Sequence, residues 1–108
     1  YDRGLDKQVL VMVFSEFGRT PRVNKDAGRD HWPGAMSMLL SGGGLKVGQM
    51  IGETDSKAAY PISDPYTPGN VLSTMYGFMG IDDTHHFYDD NNRPIPILND
   101  GGPIAELL

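Results

Sequence analysis

The chain has no cysteine. That excludes disulfides, thiolate metal sites and a cysteine nucleophile within these 108 residues. It also lacks a long apolar run. The longest, "VLVMVF" at residues 9–14, falls far short of the ~20 residues that a membrane-spanning helix needs. Positive charge is scarce, with 9 Lys and Arg against 14 Asp and Glu and a net charge of −5, which disfavours non-specific binding to nucleic acid or anionic membranes. No internal repeat is present. No initiator methionine opens the sequence, so the expectation is a segment of something longer. Such a segment would not display a secretory signal in any case.

What is abundant is punctuation. The 14 glycines and 8 prolines separate short elements and do not form a low-complexity linker. "QVLVMVF", residues 8–14, is a near-continuous aliphatic run and predicts a strand buried on both faces, as in a parallel sheet. Strands of that kind deliver functional loops at their carboxyl ends, and here the loop is "SEFGRT". A second strand is predicted over residues 35–41, ended by the glycines at 42–44. "LKVGQMIGETD" predicts a short strand or hairpin broken at Gly48 and Gly52, and residues 55–66 an irregular connection.

One helix is well marked, from Pro68 to Met79. Thr67 suits the N-cap, Pro68 the first helical position and Gly80 a left-handed C-terminal cap with Ile81 folding back on Tyr76. Val71, Leu72, Met75, Tyr76 and Met79 follow at helical spacing and predict its apolar face. Met36, Met38, Met75 and Met79 read as core filler. The prolines at 94 and 96 confine "RPIPIL" to an edge or to irregular structure. The class is α/β, with one clear helix, long loops and too little helical cover for a complete doubly wound sheet.

The chemistry concentrates in "FSEFGRTPRVNKDAGRDHW", residues 14–32. Glu16 lies just past the first strand, with Asp30 and His31 within loop reach. Two carboxylates and an imidazole form a reasonable ligand set for a divalent metal ion (Zn²⁺, Mn²⁺, Mg²⁺ or Ca²⁺) and leave a position open for water or substrate. Arg19 and Arg29 could hold a tetrahedral anion through bidentate hydrogen bonds. The bland alternative stays open: Glu16 pairs with an arginine, and His31 packs beside Trp32.

Other motifs carry less. "SGGGLKVG" lacks the Ser or Thr that must follow the Walker lysine, since Val47 follows Lys46, and Val47 also occupies the last glycine position of GxGxxG. "DDTHHFYDDNN", residues 82–92, does not match an EF-hand, and its adjacent His85 and His86 would point apart, so a surface loop is expected there.

"SEFGRTP", "NKDAGRDHWP" and "GGGLKVGQMIGETD", continued by "TPGNVLSTMYGFMGID" and "RPIPILNDGGPIAELL", resemble the C-terminal portion of the domain of unknown function 1501 family. The likeness covers most of the chain. That family is similar to sulfatases and to the alkaline-phosphatase-like fold, with members that are longer and often exported bacterial proteins. The resemblance implies that residues 1–108 are the C-terminal segment of a larger alkaline-phosphatase-like hydrolase domain. The nucleophile would lie in the upstream part of the same polypeptide, and the location would be periplasmic or exported. It also implies a sulfated or phosphorylated substrate, or another anionic small molecule. Glu16 corresponds to a metal-binding Asp of the wider superfamily, Phe17 stands where that superfamily has His, and His31 matches a further metal-binding His. The departure at Phe17 removes one ligand of a two-metal site unless Asp30 or an upstream residue replaces it, which leaves a single-metal or rearranged site open. It also sets up a rival expectation, a non-catalytic binding or structural domain on an inherited scaffold.

Overall fold

A computed structural model describes residues 2–108. The chain divides into two compact units, Tyr1–Pro65 and Tyr66–Leu108.

In the first unit β1 (Leu10–Val13) pairs antiparallel with β4 (Leu39–Gly42), Leu10 opposite Gly42 and Val13 opposite Leu39. The long apolar run therefore forms a shorter strand than residues 8–14, and its partner lies later than residues 35–41. The strand is not buried on both faces, and its described partner is antiparallel. Leu10 and Met12 are half-buried, while Val11 and Val13 are exposed. A continuous apolar run does not reveal which face is covered, because both faces read alike in sequence. Gly42 ends β4 with φ at +78°, and a Cβ there would stand 2.4 Å from the Val9 carbonyl oxygen. "SGGG" is thus a strand-ending turn, in line with its failure to match a phosphate loop.

A second, very short ladder joins β2 (Gly18–Arg19) to β3 (His31–Trp32), with Gly18 opposite Trp32 and Arg19 opposite His31. Gly18 is required by packing: a Cβ would lie 2.0 Å from the Ala35 carbonyl oxygen. The predicted strand or hairpin over residues 45–55 is reduced to an isolated bridge, Thr54 to Pro61. Asp55 shapes that turn, its Oδ1 accepting from the Lys57 and Ala59 amides. The Trp32 indole donates to the Ala59 carbonyl at 2.7 Å and packs against Tyr60.

The second unit is built on α1 (Pro68–Met79). Thr67 and Asn70 form a reciprocal capping box, and Gly80 closes the helix at φ 72° while the Ile81 amide bonds back to the Tyr76 carbonyl. Both ends match the sequence expectation. The buried face does not. Ser73 and Thr74 are the buried helix residues, whereas Leu72 and Met79 are exposed and Val71, Met75 and Tyr76 are half-covered. Short hydroxyl side chains let the C-terminal segment approach closely. Thr74 Oγ1 accepts from the Ile104 amide and donates to the Asn70 carbonyl, both at 2.8 Å, and Asn70 Nδ2 donates to the Gly102 carbonyl. Ile104 and Leu107, the latter in the 3₁₀ turn Ala105–Leu107, are the buried apolar side chains among the described residues. The Tyr66 hydroxyl donates to the Glu106 carboxylate. That bond lowers the carboxyl's pKa and raises the phenol's. The methionines correct the core reading too: Met36 and Met79 are exposed, Met38 and Met75 half-buried.

Residues 82–92, expected to be a surface loop, contain a strand. β5 (His86–Tyr88) pairs antiparallel with β6 (Pro94–Pro96). The Ile97 amide bonds to His85 and the Asp89 amide to Arg93, so the bonded positions are the odd-numbered ones. Pro94 and Pro96 fall between them, where a missing N–H costs the ladder nothing. Asp89 closes the turn: Oδ1 accepts from the Asn91 and Arg93 amides, and Oδ2 pairs with the Arg93 side chain at 2.8 Å. These bonds, led by that from the Arg93 amide, hold the Asp89 carboxyl below its ordinary pKa. No helix among the described residues is long and apolar enough to cross a membrane.

Candidate functional site

The segment that carries most of the chemistry-bearing residues folds as a hairpin whose ends are β2 and β3. Its loop is organised by one asparagine. Asn24 Oδ1 accepts from the Asp26 and Gly28 amides, its backbone amide bonds to the Gly28 carbonyl, and its Nδ2 donates to Asp30 Oδ1 at 3.1 Å. Thr20 ties the loop ends together: its amide donates to the Asp30 carbonyl, and its Oγ1 accepts from the Asp30 amide.

The two arginines brace the same loop from opposite sides. Arg19 Nη1 donates to the Arg29 carbonyl at 3.1 Å, and Arg29 Nη1 donates to the carbonyls of Thr20 and Pro21. Each cation is therefore anchored on the other's strand end. Carbonyl oxygens carry partial negative charge, so this anchoring also tempers the repulsion between two like charges.

His31 is directly opposite Arg19 in the ladder. Cross-strand partners project to the same face, as do residues two apart on one strand. Phe17, at the bend just before β2, touches both Arg19 and His31. The rings of Phe17 and His31 stack with centroids 3.7 Å apart at 28°, and the Arg19 guanidinium carbon lies 5.3 Å from the Phe17 centroid. Phe17 is half-buried, while Arg19 and His31 are exposed. An apolar ring thus supports two exposed nitrogen-bearing groups.

The acids are placed differently. Asp30 lies just before β3, next to His31 in sequence. Its carboxylate is engaged by Asn24. Glu16 is exposed at the bend between β1 and β2. Among the described residues no group of three or more His, Cys, Asp or Glu is gathered so as to hold a metal ion. Glu16, Asp30 and His31 thus do not form a three-ligand centre by themselves. The bland alternatives for the same residues are not what is observed either. The ion pair of the described structure joins Arg93 to Asp89, with Glu16 outside it, and His31 stacks on Phe17.

Sequence reasoning missed Thr20 and Asn24, and it read Phe17 only as a departure from a metal-binding His, not as a ring that contacts Arg19 and His31. Asn24 carried a signal in "NKDAG", because Asn and Gly favour side-chain-stabilised turns.

The model of the family described as protein of unknown function (DUF1501) matches residues 1–108. The chain belongs to that family. No curated protein and no solved structure matches it.

Proposed function

We propose that the chain is the C-terminal segment of a metal-dependent sulfate or phosphate ester hydrolase, on an alkaline-phosphatase-like scaffold completed by the upstream part of the polypeptide. The observation that carries this reading is the register that sets Arg19 opposite His31 on one exposed face. A guanidinium offers paired donors that match the oxygens of a tetrahedral sulfate or phosphate group. Arg29 braces the loop and adds positive potential beside it. The sulfatase-like resemblance of "SEFGRTP…GRDHWP" points to the same ester chemistry.

The donor set fits a metal only in part. His31 and Glu16 are suitable donors for Zn²⁺, Mn²⁺, Mg²⁺ or Ca²⁺, with imidazole favouring the transition metals. Their site would need further donors from outside this chain. Asp30, held by Asn24, acts in loop architecture. A bound metal ion would polarise an ester oxygen or lower the pKa of a water molecule. The contribution of this chain is to hold the ester oxyanion on Arg19 and to present the His31 imidazole beside it. An exported or periplasmic location follows from the same resemblance.

The test is metal content and hydrolysis of aryl sulfate and aryl phosphate by the full-length protein, compared with His31→Ala. Loss of both metal and activity in the variant is the expected result. Equal metal and equal turnover would remove His31 from the mechanism. The Phe17–His31 stack favours a second reading, a non-catalytic binding domain on an inherited hydrolase scaffold, because it uses the imidazole in packing. A metal-free, inactive full-length protein that still binds sulfate would select that reading.

A further inference from the structure

Building on the ester-hydrolase reading, we infer that Phe17 is a positioning residue of this site: it holds the His31 imidazole and the Arg19 guanidinium together so that one tetrahedral oxyanion meets both. The backbone beneath them is already fixed. Arg19 and His31 are ladder partners and Gly18 is pressed against the Ala35 carbonyl, while the Arg19 guanidinium already has one anchor of its own in the Arg29 carbonyl. What the ladder does not fix is the rotamer of two exposed side chains. Phe17 supplies that constraint, through the stack at 3.7 Å on His31 and the contact at 5.3 Å to the Arg19 guanidinium. One ring touching both groups couples their orientations. A leucine at 17 would keep the apolar footing but lose the flat face and the ring's attraction for the cation. Phe17 itself contacts no reacting atom; it acts through its two neighbours.

The experiment uses the full-length protein and the variants Phe17→Leu and Phe17→Tyr, with Phe17→Met as a second aliphatic replacement should leucine fail to fold. Two readouts are taken. The first is the NMR position of the His31 ring protons, assigned with His31→Ala. The stack shifts them upfield in the wild type and in Phe17→Tyr, and Phe17→Leu removes the shift. The second is titration with inorganic sulfate and inorganic phosphate. An aromatic contact of this size corresponds to about a 2- to 10-fold weakening of oxyanion affinity in Phe17→Leu, recovered in Phe17→Tyr. A structural role alone would remove the ring shift and lower the unfolding midpoint while leaving sulfate and phosphate affinity unchanged. Wild-type anion binding left unchanged by Phe17→Leu overturns this inference alone. A wild-type protein that binds neither anion and cleaves neither ester overturns the hydrolase reading and this inference with it. His31 protons that do not move in Phe17→Leu overturn the stack.

Discussion

At Gly18 the argument comes down to one missing atom. A Cβ would sit 2.0 Å from the Ala35 carbonyl oxygen, and that atom is backbone, so it cannot swing aside. Gly18→Ala should therefore force the β2–β3 ladder apart, at a cost of about 1–3 kcal/mol or more. Thermal unfolding of the variant measures this, and an unshifted midpoint would contradict the packing described. The same residue shows what sequence reading could reach. The glycine is plain in "EFGRT", but its reason lies in residue 35, which no local pattern links to it. Glu16, Arg19 and His31 were legible as candidates because their types and their place after an apolar run are visible. Their relation was not. Arg19 and His31 became partners through a hairpin register set by Asn24 and Thr20, and the same two residues engage Asp30.

The elements divide according to how local their determinants are. α1 was readable from end to end because its signals are adjacent in sequence: Thr67, Pro68 and Gly80, with Asn70 completing the cap in the structure. Thr67→Ala removes the capping oxygen and should cost about 1 kcal/mol, read as a lower midpoint of unfolding. Which face of the helix is buried was not readable, because a non-local partner decides it. Thr74, 2% exposed, holds the Ile104 amide. Thr74→Val keeps the shape but leaves that donor without its acceptor, so a loss of about 1–3 kcal/mol and faster hydrogen exchange at Ile104 are expected. The β5–β6 hairpin was hidden by its prolines, which sit harmlessly between the bonded positions. Its turn makes a pH prediction. The Asp89 carboxyl is held below its ordinary pKa, chiefly by the Arg93 amide. Its contribution is therefore fully present above the unfolded value of roughly 4 and is lost as pH falls through the depressed folded value. Amide shifts of Asn91 and Arg93 should stay constant at neutral pH and move only on strong acidification. Asp89→Ala should abolish that transition, and a transition that persists in the variant would refute the assignment.

For the molecule as a whole, the placement of apolar surface is the strongest constraint. Val11, Val13, Phe14 and Leu39 are exposed in the first unit, and Phe87, Tyr88 and Ile95 in the second. Apolar residues on strands usually lie against a neighbour, so each unit, taken by itself, presents apolar strand surface that a partner would cover. That agrees with the proposal of a larger hydrolase domain.

The measurement that bears most directly on the central claim is the rate of aryl sulfate and aryl phosphate hydrolysis by the full-length protein carrying Arg19→Ala. If the guanidinium opposite His31 holds the ester oxyanion, the rate falls by about 100-fold or more while the fold is retained. An active protein whose rate is indifferent to that substitution would contradict the account.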